Sequence, residues 1–278
     1  MSTRPPVLRR TLTALVLAAV GLPALIHGGV FYYLLVAIIL AGATWEYVRL
    51  YRAVQYEPNE ILTIAGVLVI ATARFFFADA AIPALVLFVL LAMAVHLLAF
   101  ERGRDQAALD LGVTVTGLVY IGWIGSYLLD LRFLPDGVWW WLVVLPIVWA
   151  ADTGAYSIGT AYGKHKMTPR LSPKKSWEGY FAGVFTSVLI GAFFAYAFSS
   201  LGPQPLRGLI DPVQGGLLGL VIGALATLGD LGESMLKRQG GLKDSSNIFP
   251  GHGGFLDRID SWIWGAAIGY FMIRFLFL

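Results

Sequence analysis

Two stretches near the C-terminus carry acids at helical spacing. In GDLGESMLKR, Asp230, Glu233, Ser234 and Lys237 recur at steps of three, one and three. A continued helix therefore lines up acid, acid, hydroxyl and ammonium on one stripe. In FLDRIDS, Asp257 and Asp260 stand three apart and share a helical face. Carboxylates held this close repel one another unless a cation lies between them. Oxygen donors with no cysteine nearby suit a hard ion, Mg2+ first. The competing reading is a set of interfacial ion pairs with Lys237, Arg238 and Arg258, which are common and weak.

Between the acidic stripes lies GGLKDSSNIFPGHGG, whose glycines let successive backbone N–H groups turn toward an anion. Lys237, Arg238, Lys243, His252 and Arg258 add positive charge around it. This is the composition of a polyphosphate site, set against the plainer reading of a cytoplasmic loop made basic by topology alone. A second basic segment, GKHKMTPRLSPKKSWEG, carries Ser172, Lys174, Lys175 and Ser176. It falls one residue short of a P-loop and lacks that motif's hydroxyl, so Lys174 and Lys175 read equally as phosphate ligands or as membrane-face anchors. Upstream, Asp152 lies inside an apolar run, where an ionised carboxylate costs about 2.5 to 3.5 kcal/mol and by default marks a functional site. Asp230 meets the same criterion.

The elements that position these groups are membrane helices. Of 278 residues, 58% are hydrophobic and 13% charged, against about 25% charged in a soluble domain. Runs long enough to span sit at 11–27, 30–48, 61–78, 81–100, 110–129, 138–158, 178–199, 214–232 and 262–278. The expected fold is therefore all-α and polytopic, with about nine transmembrane helices. With a cytoplasmic N-terminus, sixteen of the twenty Lys and Arg residues fall on the inner side, and only Arg132 and Arg207 fall on the outer. That bias supports the orientation. The basic N-terminus followed by an apolar run reads as an uncleaved first span, since no clear cleavage site follows. Residues 1–135 form an N-terminal region of about five spans. Residues 136–278 form a C-terminal catalytic region whose two motif loops face the cytosol.

Other chemistries drop out. With no cysteine there is no disulfide, thiolate nucleophile or iron-sulfur site. The four histidines are too scattered for zinc. His96 reads as a span or interface histidine, Glu46 as an i,i+3 helical partner of Arg49, and Trp139, Trp140 and Trp141 as an interfacial anchor.

The stretch from Ser234 to Asp260, SMLKRQGGLKDSSNIFPGHGGFLDRID, resembles without departure the signature of the phosphatidate cytidylyltransferases, or CDP-diacylglycerol synthases. A second stretch, Asp152 to Tyr156 and then Ser172 to Gly179, is similar to that family's upstream motif, with Ser176 where Thr is usual. The hydroxyl is kept. Together the motifs cover about a quarter of the chain, all in its C-terminal half.

The resemblance implies Mg2+-dependent nucleotidyl transfer from CTP to phosphatidic acid, giving CDP-diacylglycerol and pyrophosphate at the cytoplasmic face of a membrane, in phospholipid biosynthesis. It assigns Asp230, Asp257 and Asp260 to one cation or two, and Lys237, Arg238, Lys243, His252 and Arg258 to the triphosphate and leaving group. Ser172, Lys174 and Lys175 face a phosphate of either substrate, and Ser234 completes the binding set. Asp152 either joins the metal site or orients a basic residue. The implied partners are CTP, phosphatidate, the bilayer and a second copy of the chain, with no role for nucleic acid. A bacterial inner membrane fits the charge bias. Two other functions compete: a CTP-dependent lipid-alcohol kinase, and a secondary transporter, whose glycine-interrupted spans also carry acids.

Overall fold

A chain this apolar has to satisfy its own backbone polar groups, and it does so almost entirely through helices. The structure, a computed structural model, describes residues 6–201, 210–242, 245, 246, 248, 249 and 253–278. Its helices are α1 (Pro6–His27), α2 (Gly29–Arg52), α3 (Glu60–Phe76), α4 (Ala81–Glu101), α5 (Ala107–Gly117), α6 (Tyr127–Phe133), α7 (Gly137–Tyr162), α8 (Trp177–Leu201), α9 (Pro212–Gln239) and α10 (Leu256–Met272). Wider π turns at Leu118–Ile124 and Ile273–Phe277 continue α5 and α10. Among the described residues, six helical segments are long and apolar enough to cross a bilayer: Gly29–Arg52, Ala78–Glu101, Ala107–Phe133, Gly137–Tyr162, Trp177–Ser200 and Pro212–Gln239. The protein is thus an all-α membrane protein.

One element departs from the expected loop between α7 and α8. Strands β1 (Lys166–Thr168) and β2 (Ser172–Ser176) pair as an antiparallel hairpin, Lys166 opposite Ser176 and Thr168 opposite Ser172, with an irregular register between. Pro169 opens the turn, where its fixed φ costs nothing. Ser176 then accepts the Gly179 N–H at 3.3 Å and starts α8.

The chain divides into two compact units. The first comprises residues 1–129 and 236–259, the second residues 130–235 and 260–278, so α9 and α10 each contribute to both. Inside the first unit, Leu40, Val67, Ile70, Leu118 and Ile121 are fully buried. Its buried polar groups find partners, as a low-dielectric interior demands. The Tyr32 hydroxyl donates to the Leu128 carbonyl at 2.9 Å and the Tyr47 hydroxyl to the Val113 carbonyl at 3.0 Å. His96 Nε2 lies 2.9 Å from Thr114 Oγ1, so this histidine is a satisfied buried residue of its span. The Arg74 guanidinium covers the rings of Trp123 and Tyr127 at 3.9 and 4.4 Å.

The second unit is held by backbones that approach closely across small residues, the usual means of packing helices where lipid is the solvent. A Cβ on Gly183 would lie 2.6 Å from the Ala151 carbonyl, and one on Gly219 would lie 2.2 Å from the Ser187 carbonyl. Thr186 and Ser187 donate to the Ala150 and Ile147 carbonyls and tie α8 to α7. Two of the three consecutive tryptophans do not anchor at an interface. Trp140 and Trp141 are buried in this unit against Phe277 and Trp262, and Trp140 Nε1 donates to the Pro135 carbonyl at 3.0 Å. The turn before α7 thus satisfies the Trp140 indole, whereas the buried Trp141 Nε1 has no hydrogen-bond partner among the described residues.

Candidate active site

The second unit carries an acidic centre. Gly229 on α9 lies against α10 so closely that a Cβ there would be 2.3 Å from the Asp260 carbonyl. That approach draws together the carboxylates on either side. Ligand oxygens of Asp230, Glu233 and Asp260 all lie within 4.8 Å of one another, with Glu233 buried and its two neighbours half-buried. Because α9 runs on to Gln239, well past its apolar part, Asp230 and Glu233 stay on one helical face. Lys175, on β2, brings Nζ to 2.7 Å from Asp230 Oδ2. The Ser234 hydroxyl donates to Asp230 Oδ1 at 3.3 Å.

The first unit carries the glycine-rich signature loop. Helix α9 ends in a left-handed turn at Gly241, φ +66°. There the Leu242 N–H returns to the Lys237 carbonyl and the Gly241 N–H to the Arg238 carbonyl, the bonding of a Schellman cap. Lys237 Nζ reaches Asp257 Oδ1 at 2.6 Å, and both side chains are largely buried. Asp257 Oδ2 accepts the Gly254 N–H at 2.8 Å, the Ser245 N–H at 2.9 Å and the Ser245 hydroxyl at 2.6 Å. Burial alone would raise this carboxyl. The bonds from Lys237, Ser245 and Gly254 outweigh it and hold the pKa at about 2. Gly253, at φ +75°, bends the loop so tightly that a Cβ would lie 2.4 Å from Asp257 Oδ2. Across this bend the Phe249 N–H donates to the Gly253 carbonyl at 2.9 Å.

Comparison with known proteins places the chain in a family. Residues 8–276 match the cytidylyltransferase family. The chain belongs to that family. It is 31% identical to the phosphatidate cytidylyltransferase of Synechocystis over 96% of this chain and 97% of the relative. It is 37% identical to that of Pseudomonas aeruginosa over 91% and 92%, and 30% identical to that of Staphylococcus aureus over 91% and 94%.

The residues singled out from the sequence fall into separate groups in this family member. Asp230 and Asp260 come together with Glu233, which the helical stripe had pointed to without a role. Asp257 is bonded to Lys237, Ser245 and Gly254. Lys175 meets Asp230, whereas Lys174 and Arg258 are exposed, as is Arg238 at the end of α9. Ser172 is half-buried at the start of β2, and Asp152 lies on an exposed face of α7. Lys243 and His252 lie outside the described residues.

Glu46 requires a correction. It is not the i,i+3 partner of Arg49, whose guanidinium lies over the Trp45 ring at 4.5 Å. Glu46 is fully buried in α2 and accepts bonds from the signature loop. The signal in the sequence was an acid among apolar neighbours with glycine one turn earlier, but its donors lie about 200 residues away. A cavity of about 990 Å3 elsewhere in the first unit, lined by Arg52, His96, Arg102, Arg104 and Asp110 among others, contains none of the signature residues. Its charges are largely internally paired, Arg104 with Asp110 at 2.7 Å and Arg52 with Glu60.

Proposed function

We propose that the chain transfers a cytidylyl group from CTP to phosphatidate, releasing pyrophosphate and leaving CDP-diacylglycerol in the membrane. The observation that carries the reading is the signature from Ser234 to Asp260, which contributes Asp260 to a carboxylate centre and also forms a glycine-bent loop with a largely buried Lys237. Family membership and the relatives named phosphatidate cytidylyltransferase support it.

The attacking atom is a phosphate oxygen of phosphatidate. A monoester has its second pKa near 6 and is mostly ionised at pH 7, so no side chain is needed as a base. The obstacle is the meeting of two anions, and positioning with charge neutralisation overcomes it. Asp230, Glu233 and Asp260 offer only oxygen donors, a set that fits a hard divalent cation and makes Mg2+ our assignment. When bound, that ion supplies positive charge for phosphate oxygens. Asp257, assigned to the same cation set from the signature, also orients Lys237. Lys237, Arg238, Lys243, His252 and Arg258 bind the triphosphate and the departing pyrophosphate. Lys174, Lys175 and Ser172 hold a phosphate of either substrate, and Asp152 and Ser234 support that set.

The charge bias supports nine spans with the N-terminus and both motif loops on the cytoplasmic side of a bacterial inner membrane. A homodimer is the oligomer expected from the resemblance, and sedimentation in detergent tests it. The deciding experiment supplies purified protein with Mg2+, phosphatidate, diacylglycerol as a lipid alcohol, and CTP labelled at the α-phosphate. Label entering lipid supports cytidylyl transfer. Label remaining in CDP replaces it with a lipid kinase, and substrate-driven ion flux in proteoliposomes without lipid product replaces it with a transporter.

A further inference from the structure

Glu46 has the surroundings of a part built for one purpose. Its side chain is 0% exposed, and an acid in that position is costly unless its oxygens are satisfied. Oε1 accepts the Phe255 N–H at 3.0 Å and the Ser246 hydroxyl at 2.6 Å. Oε2 accepts the Leu256 N–H at 2.7 Å and lies 2.9 Å from the Ser245 hydroxyl, which also lies 2.6 Å from Asp257 Oδ2. Phe255 and Leu256 stand at the start of α10, whose first N–H groups have no partner within the helix and favour a negative charge. Glu46 therefore caps α10 from α2 and, through the Ser246 hydroxyl, holds the signature loop with the same carboxylate, while the single proton of Ser245 is shared between Glu46 and Asp257.

The neighbours are shaped to this contact. Gly254 passes so close that a Cβ would lie 2.0 Å from Glu46 Oε1. Gly42, one turn before Glu46 on the same face of α2, leaves room for the Phe255 ring, which a Cβ would approach to 2.4 Å. At the other end of the loop, a Cβ on Gly240 would lie 3.3 Å from the Leu50 carbonyl. In sequence, Lys243 and His252, two of the residues assigned above to the triphosphate, fall between these points, and Lys237, Arg238 and Arg258 flank them.

We propose that Glu46 is a positioning residue for nucleotide binding: its carboxylate fixes the loop in the shape that receives the phosphates of CTP. The inference rests on the cytidylyltransferase reading and extends it to a residue of the N-terminal spans. The charge state matters as well as the shape. Each oxygen accepts a backbone N–H, so a glutamine in either orientation turns its NH2 group against one of them.

The test compares the full-length protein with Glu46→Gln, Glu46→Asp and Ser246→Ala in detergent, measuring steady-state rates against CTP and phosphatidate and hydrogen exchange across residues 245–257. Glu46→Gln raises KM for CTP about tenfold or more, as loss of bonding to a charged group implies. KM for phosphatidate stays level, and exchange at Phe255 and Leu256 quickens. Ser246→Ala moves the same quantities less and serves as the reading should Glu46→Gln fail to fold. Glu46→Asp recovers part of the effect. Unchanged KM for CTP in both Glu46→Gln and Ser246→Ala overturns the proposal, as does an equal rise in both KM values. Should the wild type make no CDP-lipid, the assigned reaction falls, and equilibrium binding of labelled CTP then decides for Glu46: weaker binding by Glu46→Gln upholds it, equal binding or none by the wild type overturns it.

Discussion

Lys237→Met is the perturbation whose size the structure defines best. Lys237 and Asp257 are 2.6 Å apart with side-chain exposures of 12% and 8%, so removing the ammonium leaves a carboxylate in a dry pocket. Breaking a buried pair in this way costs about 3–5 kcal/mol. The carboxyl itself gives a second route to the number. Its pKa lies at about 2 against an ordinary 3.8, and at 1.36 kcal/mol per unit that difference corresponds to roughly 2 kcal/mol. Ser245 and Gly254 keep their bonds to Asp257, which favours the lower figure. The sign follows from the depressed value: wild-type stabilisation is fully present above about pH 4 and is lost as pH falls toward 2. In Lys237→Met the carboxyl keeps its burial and loses the largest bond that lowers it, so its pKa rises from the wild-type value and the deficit is larger at pH 7.5 than at pH 5. Thermal unfolding in detergent at the two pH values measures this. Adding Asp257→Asn restores most of the lost stability without restoring activity, because the double variant buries no lone charge. A Lys237→Met protein within about 0.5 kcal/mol of wild type at pH 7.5, or a deficit that grows on acidification, would refute the reasoning.

Three further outcomes follow from the acidic centre and the loop. Asp260→Asn abolishes turnover while the protein stays inserted and folded, and Mn2+ binding followed by electron paramagnetic resonance weakens by more than about tenfold; near-normal turnover across a range of Mg2+ removes Asp260 from the site. Gly229→Val forces a branched side chain into a 2.3 Å gap beside the Asp260 carbonyl, costing about 1–3 kcal/mol in thermal unfolding and lowering metal affinity with it. Gly253→Ala places an L side chain at φ +75° and against Asp257. It destabilises by about 1–2 kcal/mol and weakens CTP binding, read from rate curves against CTP.

Much of the fold could be read from the chain because lipid simplifies the physics. A run of about 20 apolar residues without water must become a helix. Accordingly the runs at 30–48, 81–100, 110–129, 138–158, 178–199 and 214–232 lie within the six membrane-length helical segments. The stripe Asp230, Glu233, Ser234 and Lys237 could be read for the same reason, since a helix that does not stop fixes which side chains share a face. Loop chemistry was legible as composition: glycine, serine and basic residues between two acidic turns.

What spacing could not supply was the partner of each charge. Asp257 and Asp260 are three residues apart, yet the bonds found for the first come from Lys237 and the signature loop, whereas the second meets Asp230 and Glu233. The local marks on Glu46, apolar neighbours and Gly42 one turn earlier, do not say which groups donate to it. Its role exists only because α2 and a loop some 200 residues later fold against each other. Local helical geometry therefore assigned faces, and the sequence alone determined the all-α membrane class, six membrane-length helices and the chemical vocabulary of the site. Only the tertiary structure decided which acids face one another, because that depends on where Gly229, Gly42 and Gly254 let backbones and side chains close to within contact distance.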